Sequence, residues 1–365
     1  MSPNLKNSRS MRLVIALVIP FVLFCFIYTL RPTSIFVLGP KELPYLPSET
    51  TLTGTGDSAS VVPTTTAAPS YSYTLPHKVW HSAKSDNITR DQREWIGSWT
   101  RKNPSIRQEL LTDLSAEAFV RARFYNTRPD IVEVYEGLQI AILRADLFRY
   151  LVVLAEGGIW GDLDVSCEKE VAEWVPYEYR NQTIDMIVGL EFDFEWRGPG
   201  TGVASQFCNW IFVARQSSRN LQIVVDFVIK KLKEIAQENA VGIEGVTLDM
   251  ISDVVDVTGP KMMTVAILDS LGQLLGRTVD DRDFSGIKRP KLVGDVLIMP
   301  GVSFAALQNG NPTDQGDALV SHHYEGSWKK EADAARERKK QEELQRQQQQ
   351  QPQVPPPAET ELALQ

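Results

Sequence analysis

The residues with the clearest potential for chemistry are two aspartates, Asp162 and Asp164, which form the first of two D-x-D motifs in the chain. In an extended segment, residues two apart project to the same side, so this spacing predicts a pair of neighbouring carboxylates. Close carboxylates repel each other unless a cation or a proton joins them, and their oxygen atoms suit Mn²⁺ or Mg²⁺. The motif predicts either a divalent-metal site, at which a leaving diphosphate could be neutralised, or a pair of structural carboxylates.

The second D-x-D motif, Asp281 and Asp283, has the same spacing but lies in a charged loop, where we expect a solvated turn. The first motif follows a predicted buried helix at residues 138–154, a glycine pair that ends this helix, and a short apolar run. In open α/β sheets, ligands bind beyond the carboxyl ends of strands, which is the position predicted for the first motif. We therefore assign the predicted metal site to the first motif alone.

Charged residues on the predicted helix at 138–154 could share the pocket of the first motif. Arg144, Asp146 and Arg149 interrupt an otherwise apolar sequence. Asp146 and Arg149 are three residues apart, so they are neighbours on one face of the helix. Either they form a buried salt bridge without a chemical role, or Asp146 accepts hydrogen bonds from sugar hydroxyls and Arg149 holds a sugar or a phosphate.

Two further pairs are candidates for the same pocket. Glu191 and Asp193 end a predicted apolar strand over residues 186–190, which is another position at a strand end. His322 and His323 are adjacent near the end of the apolar-patterned sequence, and a histidine there could add a nitrogen ligand to a metal held by carboxylates. A surface pair without a chemical role is the alternative for the histidines.

Composition divides the 365 residues into segments of different character. The eighteen residues from Leu13 to Leu30 carry no charge and would reach about 27 Å as a helix, close to the thickness of a bilayer core. A segment rich in Ser, Thr and Pro follows, and then alternating apolar runs and amphipathic stretches. The predicted segments are a cytosolic tail at 1–12, a transmembrane signal anchor at 13–30, a stalk at 31–74, one α/β domain at 75–328 and a charged, Gln/Pro-rich disordered tail at 329–365.

The charges around the predicted anchor indicate its orientation. Basic residues precede the anchor and acidic residues do not, so the positive-inside rule places the N-terminus in the cytosol and the α/β domain in the lumen or outside, as in a type II membrane protein. A cleaved signal peptide is the alternative, but the apolar run exceeds the usual length and no small-residue cleavage site follows it. In a lumenal domain, the sequons at Asn87 and Asn181 become candidate N-glycosylation sites.

The overall charge and the cysteines exclude several classes of protein. With 38 Lys and Arg against 46 Asp and Glu, the net charge of −8 argues against binding of nucleic acid through a basic surface. Three cysteines are too few for a disulfide scaffold and too scattered for a zinc site built on paired cysteines. Cys208 lies in an apolar run and is predicted to be a buried thiol, while pairing with Cys167 stays open.

Several segments, in order along the chain, resemble glycosyltransferase family 32, and more closely the fungal initiation-specific α-1,6-mannosyltransferases. The matching segments are LPHKVWHSAK (75–84), SWTRKNP (98–104), ILRADLFRYLVVLAEGGIWGDLDV (142–165), GLEFD (189–193), QFCNW (206–210), TGP (258–260) and HHYEGSW (322–328). They span nearly all of the predicted α/β domain. The resemblance implies a single GT-A-like domain, with a Rossmann-like mixed sheet flanked by helices, behind an N-terminal transmembrane helix.

The resemblance also implies a metal-dependent hexosyltransferase reaction with Mn²⁺ or Mg²⁺ as cofactor. Mannose would move from GDP-mannose, with retention, to a mannose of an N-glycan core in an α-1,6 linkage. The implied partners are the GDP-mannose donor, N-glycans on glycoproteins, the Golgi membrane and a complex with other mannosyltransferases, with the catalytic domain in the Golgi lumen. Transfer to a sphingolipid head group and a catalytically inactive Golgi scaffold are the alternatives.

Residue roles follow from the same resemblance by position. The implied metal ligands are Asp162, Asp164 and the histidine pair, of which His323, in its H-x-x-G context, is favoured over His322. The implied catalytic residues are the same two aspartates together with Glu191 and Asp193, which would stabilise an oxocarbenium-like sugar. The implied donor-binding residues are Arg144, Asp146, Arg149, Ser327 and Trp328, the last two at the diphosphate.

Overall fold

The computed structural model describes residues 76–194, 203–306, 315–326 and 341. The predicted cytosolic tail, anchor and stalk, the C-terminal tail apart from residue 341, and both Ser327 and Trp328 lie outside the described residues. Of the helices in the described ranges, none combines the length and the apolar character needed to cross a membrane.

Helices and strands alternate along the described chain. The strands are β1 (Lys78–Ala83), β2 (Arg107–Thr112), β3 (Gly158–Gly161), β4 (Val165–Cys167), β5 (Met186–Asp193), β6 (Ser205–Phe207), β7 (Ile211–Ala214), β8 (Lys291–Val293), β9 (Val296–Met299) and β10 (Val320–His322). The α-helices are α1 (Arg90–Lys102), α2 (Asp113–Phe124), α3 (Pro129–Gly137), α4 (Ala141–Glu156), α5 (Arg219–Glu238), α6 (Val254–Val257), α7 (Pro260–Leu275) and α8 (Gly301–Ala305). The helix predicted at 138–154 and the strand predicted at 186–190 are confirmed as α4 and β5, with ends displaced by up to three residues.

One central sheet carries most of the strands. Seven of its eight strands follow the order β2-β1-β3-β7-β5-β9-β8, and β6 pairs with β5 outside this path. β1, β2 and β3 are parallel, as are β5 and β9, whereas β7 is antiparallel to both β3 and β5. The carboxyl ends of β3 and β5 therefore lie at the same end of the sheet, beside the start of β7. The prediction of an α/β fold with a mixed sheet is confirmed.

Hydrophobic side chains alternate between the two faces of this sheet, as the pleat of a strand requires. Trp80 and Trp160 belong to a buried cluster that includes residues of α2 to α7. Their neighbours Val79 and Ile159 belong to a second cluster, which includes residues of α1 and α8. Helices thus cover both faces of the sheet, and the two clusters hold its strands, and the strand ends, in place.

Two glycines take the chain from α4 into β3. Gly157 has a φ of +68° and Gly158 a φ of +118°, which side chains with a Cβ atom rarely adopt. A Cβ atom at Gly157 would lie 2.6 Å from the backbone nitrogen of Gln216, and one at Gly158 would lie 2.7 Å from the carbonyl oxygen of Lys78. The glycine pair therefore allows β3 to follow the helix at once and to carry the first motif to the end of the sheet.

Candidate active site

The first motif lies in a turn directly after β3. The Asp162 amide donates a hydrogen bond to the carbonyl oxygen of Trp210 (2.9 Å), and the Val165 amide donates one to the carbonyl oxygen of Asp162 (3.1 Å). Because the second bond closes a tight turn, the expectation that the segment is extended through Asp164 is wrong. The two carboxylates nevertheless act on each other, since the charge of Asp164 raises the pKa of Asp162.

The two carboxylates of the first motif differ in their electrostatic surroundings. Burial raises the pKa of Asp162, and the negative charge of Asp164 adds to this shift, against the positive charge of Arg149. Burial also opposes ionisation of Asp164, but hydrogen bonds from His322 and from the Glu325 amide outweigh it and hold the pKa of Asp164 below its usual value. A cation at the motif would favour the ionised form of Asp162, which its surroundings otherwise penalise.

A buried arginine links the first motif to α4. Arg149 Nη2 lies 2.9 Å from Asp146 Oδ1 and 3.6 Å from Asp162 Oδ1. The side chains of Arg149 and Asp146 are only 7% and 4% exposed. The salt bridge that the sequence left as one of two alternatives is therefore present, and it extends to the first motif. Arg149 offsets part of the negative charge that the buried carboxylates concentrate there.

Asp146 is held by further polar side chains. Thr258 Oγ1 donates a hydrogen bond to Asp146 Oδ2 (2.8 Å), and Asn209 Nδ2 lies 3.4 Å from Asp146 Oδ1. Asn209 also donates to the Tyr150 hydroxyl (3.2 Å), which donates to the Thr258 carbonyl oxygen (2.9 Å). Burial raises the pKa of Asp146 to about 6, against the effects of Arg149 and of these donors. In the sequence, Asn209 and Thr258 lie in two of the segments that carry the family resemblance, QFCNW and TGP, but neither was assigned a role.

The two adjacent histidines have different surroundings. His322 Nε2 lies 3.3 Å from Asp164 Oδ2. The ring of His323 instead stacks on Trp95, with 4.3 Å between ring centroids, and its Nε2 is 2.9 Å from Ser166 Oγ. The pairing of β10 with β4 sets this arrangement, because it places His322 opposite Val165, the residue after the first motif. His322 is the histidine beside the carboxylates, and metal binding by either histidine stays a prediction.

Glu191, at the carboxyl end of β5, lies in the region of the first motif. Its Oε2 accepts a hydrogen bond from Gln206 Nε2 (2.8 Å). Burial raises the pKa of the Cys208 thiol, and the charges of Glu191 and Asp162 both add to that shift. The two carboxylates therefore act on the same buried thiol from the carboxyl ends of β3 and β5, the two strands on either side of β7.

Two other predicted site residues have partners of their own. Asp193 accepts hydrogen bonds from Ser205 Oγ (2.5 Å) and from the Gly286 amide (2.6 Å), so it connects β5 with a loop. Arg144 donates to Glu117 Oε2 on α2 (2.8 Å). Arg144 thus lies on a different face of α4 from the buried salt bridge, and the structure does not bring it together with the first motif.

The remaining sequence predictions concern surface asparagines and cysteines. Asn87 precedes α1 and Asn181 lies in a turn before β5, and both are exposed, as glycan attachment requires. Glycosylation of either stays a prediction. Cys167 and Cys208 are both buried free thiols, so the prediction of a buried thiol at Cys208 is confirmed and the pairing that was left open is not formed.

His81, which the predicted site did not include, supports the strand before the first motif. Its Nδ1 lies 2.6 Å from the carbonyl oxygen of Gly161, and its side chain is fully buried. Burial lowers the pKa of His81 to about 4, so the ring is neutral at pH 7. Because the partner is a carbonyl oxygen, Nδ1 carries the proton. In the sequence, His81 lies in the matching segment LPHKVWHSAK, where it was not assigned a role.

The residues around the first motif suit a hard divalent cation. Carboxylate oxygens of Asp162 and Asp164, with the imidazole of His322 beside them, are ligand types that Mn²⁺ accepts. Within the described residues, no group of three or more His, Cys, Asp or Glu side chains forms a set able to hold a metal by itself. Mg²⁺ is commonly bound by one or two carboxylates, with substrate phosphates and water completing its shell. The donor set therefore fits a metal that binds together with a diphosphate.

Comparison with known proteins gives consistent matches. Residues 89–181 match the family described as "Glycosyltransferase sugar-binding region containing DXD motif". The chain is 30% identical over 266 residues to the initiation-specific alpha-1,6-mannosyltransferase of Schizosaccharomyces pombe, covering 71% of this chain and 65% of that protein, slightly less than two thirds of its length. The protein of the same name from Candida albicans is 25% identical over 293 residues, covering 70% of this chain and 72% of that protein.

A solved structure, that of the PaToxG glycosyltransferase, is similar with a TM-score of 0.37 and 15% identity, covering 55% of this chain and 71% of that chain. A score this low does not bear on the fold described above. The family match is more informative, because its residues 89–181 include α4 with the buried salt bridge and the whole of the first motif. Over residues 89–181 the chain is similar to the D-x-D-containing glycosyltransferases, and over most of its length it is similar to initiation-specific alpha-1,6-mannosyltransferases.

Proposed function

We propose that this glycosyltransferase moves mannose from GDP-mannose to a mannose of an N-glycan core, with retention and in an α-1,6 linkage. The observation that carries the proposal is the first motif at the end of β3, with Arg149 at 3.6 Å from Asp162 and His322 at 3.3 Å from Asp164. Transfer of mannose and the α-1,6 linkage are supported by the two relatives, both named as initiation-specific alpha-1,6-mannosyltransferases. The mixed sheet with a D-x-D motif at a strand end supports a GT-A-like domain.

The residues at this end of the sheet have separate tasks in the proposed reaction. Asp162 and Asp164 hold the metal, and Arg149 balances the charge of the buried carboxylates. When bound, Mn²⁺ or Mg²⁺ neutralises the charge that develops on the leaving diphosphate. Asp146 orients Arg149 and is itself fixed by Thr258, so the position of the arginine is set before any substrate binds.

Glu191 is the carboxylate that we place beside the donor sugar. It shares the surroundings of the Cys208 thiol with Asp162, and Gln206 fixes its orientation. A carboxylate at this position stabilises positive charge that develops on the sugar ring in an oxocarbenium-like transition state. Asp193 is occupied by its loop contacts, so its contribution is to keep the end of β5 in place.

Turnover of GDP-mannose by the full-length chain tests the proposed reaction. We expect release of GDP to require Mn²⁺ or Mg²⁺ and to fall by about a hundredfold or more in Asp162→Ala and in Asp164→Ala. Asp283→Ala is the matched control, because it removes the same group from the second motif, and we expect its turnover to be unchanged. Turnover that needs no divalent metal, or that survives both substitutions, would contradict the proposal.

The acceptor requires its own measurement. We expect mannose to be transferred to N-glycan core oligosaccharides, and the product to be cleaved by an α-1,6-specific mannosidase. A sphingolipid head group is the second acceptor to be offered, under the same conditions. Transfer to the lipid alone would replace the proposed acceptor while leaving the donor site as described.

We also propose that residues 13–30 anchor the protein in the Golgi membrane with the glycosyltransferase domain in the lumen. The exposure of Asn87 and Asn181 supports this location, because both acceptors would be accessible to the glycosylation machinery. We expect glycosidase treatment to increase the electrophoretic mobility of the protein from cells, and the double substitution Asn87→Gln, Asn181→Gln to abolish this shift. A protein whose mobility never changes would contradict the lumenal orientation.

A further inference from the structure

Residues 322–326, here called the covering segment, lie against the first motif through Asp164. The His323 amide donates a hydrogen bond to the carbonyl oxygen of Asp164 (2.8 Å), and the Glu325 amide donates one to Asp164 Oδ2 (3.0 Å). One residue of the first motif therefore binds the covering segment with both its backbone and its side chain. The pairing of β10 with β4 places His322 beside Asp164, and these two hydrogen bonds continue the contact past the end of β10.

Two side chains of α1 contact the covering segment at other points. The Trp95 ring stacks nearly parallel to that of His323, at an angle of 8° and with 4.3 Å between centroids. Gln92 Nε2 donates a hydrogen bond of 2.6 Å to Glu325 Oε2. Residues three apart on a helix lie on one face, so a single face of α1 supplies both contacts.

Gln92 is oriented by the start of its own helix. Its Oε1 accepts a hydrogen bond from the Thr89 amide (2.8 Å), and Thr89 Oγ1 accepts one from the Gln92 amide (3.1 Å), which is a capping box. Because the side-chain oxygen is used at the helix start, the nitrogen is the atom directed at Glu325. The capping box thus fixes the Gln92 side chain, so that donation from its Nε2 to Glu325 costs little additional conformational entropy.

His323 is also fixed from the side of β4. Ser166 Oγ donates a hydrogen bond to Glu168 Oε1 (2.9 Å), so its oxygen accepts from His323 Nε2 at 2.9 Å. The imidazole is therefore bound at its edge by Ser166 and across its plane by Trp95. Although His323 is exposed, its ring keeps one orientation because two elements far apart in sequence, α1 and β4, hold it.

We propose that Gln92 and Trp95 are positioning residues, which hold the covering segment on the first motif so that His322 stays beside Asp164. We assign these two residues no contact with the carboxylates of the first motif or with the donor sugar. They act through Glu325 and His323. The effect on catalysis rests on the proposed function, whereas the attachment of the covering segment does not.

Hydrogen exchange in the full-length chain, without donor or metal, tests the attachment. Trp95→Leu removes the stacked ring, and we expect the amides of residues 320–326 to exchange about two- to tenfold faster, in line with the free energy of an aromatic pair. Trp95→Phe keeps a ring for stacking and is expected to restore most of the protection. Exchange in α4 should be unchanged in both, which separates a local effect from general destabilisation.

A charge substitution tests the second contact. Gln92→Glu keeps an acceptor for the Thr89 amide but places a carboxylate against Glu325, so we expect exchange at 320–326 to rise about tenfold. Gln222→Glu is the matched control, because Gln222 Nε2 also donates to a carboxylate, Asp226 Oδ1 (3.0 Å), on the surface of α5. The same chemical change there should leave both exchange at 320–326 and turnover as in the unchanged protein.

Activity measurements separate this proposal from the proposed function. In Trp95→Leu and Gln92→Glu, we expect the Mn²⁺ concentration for half-maximal GDP-mannose turnover to rise about two- to tenfold. Unchanged exchange at 320–326 in both variants would overturn the positioning role, whatever the activity. Faster exchange with an unchanged Mn²⁺ requirement would overturn the link to His322. Faster exchange in a protein that never turns over GDP-mannose would overturn the proposed function and leave the attachment standing.

Discussion

The chain contains the D-x-D pattern twice, and the two copies differ in what surrounds their carboxylates. In the second motif, Asp281 Oδ2 accepts hydrogen bonds from the amides of Ala204 and Ser205, the latter at 3.1 Å. Asp283 pairs with the half-exposed guanidinium of Arg277, with 2.6 Å between Asp283 Oδ1 and Arg277 Nη2. Each carboxylate of the second motif is thus matched by donors of its own.

In the first motif the two carboxylates act on each other, and Asp162 shares its neighbouring cation, Arg149, with Asp146. Arg149 is buried between Asp162 and Asp146, so it balances one of these charges and not both. The neighbouring charges therefore distinguish the two motifs, whereas the spacing does not, because Asp162 shares Arg149 with the buried Asp146 and Asp283 pairs with Arg277 at the surface. The expectation of a solvated turn for the second motif is wrong at Asp281, which is 4% exposed because its carboxylate caps two backbone amides.

The largest effect that we expect is a difference in the free energy of unfolding between substitutions of Arg149 and of Arg277. Arg149→Met should lower the free energy of unfolding by about 3–5 kcal/mol, because it leaves Asp146 buried without its cation. Arg277→Met removes the partner of Asp283 at a half-exposed site, and we expect little or no change there. Urea unfolding of both variants measures the difference. Equal effects at the two sites would show that the buried charge of the first motif is not held by Arg149.

The second prediction compares the charges of the two motifs in catalysis. Asp164→Asn keeps the shape and an acceptor for the Glu325 amide but removes the negative charge, so GDP-mannose turnover at a fixed Mn²⁺ concentration should fall about a hundred- to a thousandfold. Asp283→Asn makes the same change in the second motif and should leave turnover within about twofold, since Asp283 bonds to Arg277 and Asp280 and not to the first motif. If raising Mn²⁺ fails to restore any activity to Asp164→Asn while binding of GDP-mannose is normal, the charge has another role.

The elements that position the first motif could be predicted from the sequence. The apolar stretch of α4, its glycine stop and the apolar run of β5 are local signals, and each was found with ends displaced by a few residues. The turn from Asp162 to Val165 could not be predicted, because one local hydrogen bond outweighs the extended conformation that the preceding run favours. The carboxylates were paired correctly although the reason given, a shared strand face, was not the one observed.

The contacts that assemble the site from distant segments could not be predicted. Which histidine lies beside Asp164 depends on the register of β10 against β4, two strands of three residues each whose pairing leaves no periodic signal. The donor from Thr258 to Asp146 joins residues 112 positions apart. The resemblance identified TGP as a matching segment, but only the fold shows that its threonine acts on the helix before the first motif.

The third prediction concerns pH and the strand before the first motif. The folded-state pKa of His81 is about 4, below its ordinary value of 6.5, so its contribution to stability is present above pH 6.5 and is lost as the pH falls towards 4. The loss should be about 3 kcal/mol. His81→Asn can still donate to the Gly161 carbonyl oxygen but does not titrate.

Measured against the unchanged protein at each pH, His81→Asn should therefore gain relative stability between pH 6.5 and 4, by urea unfolding. Asp146 opposes the trend in part of this range, because its pKa is raised to about 6, but it is common to both proteins and cancels in the difference. A difference that does not vary with pH would show that His81 is not held neutral by its burial behind the first motif.

The smallest effect that we expect lies in the second motif and depends on an acceptor, not on a charge. Asp281→Ala leaves the buried amide of Ser205 without its acceptor, so the free energy of unfolding should fall by about 1–3 kcal/mol while turnover per folded molecule is kept. Asp281→Asn supplies an oxygen in nearly the same place and should recover more than half of this loss. The same pair of substitutions at Asp164 is expected to give a different result. Asparagine there should restore little of the turnover that alanine loses, because turnover depends on the negative charge of Asp164. If Asp281→Asn is as unstable as Asp281→Ala, the negative charge is needed in both motifs. The proposed difference between a structural D-x-D motif and a metal-binding one would then depend on Arg149 alone.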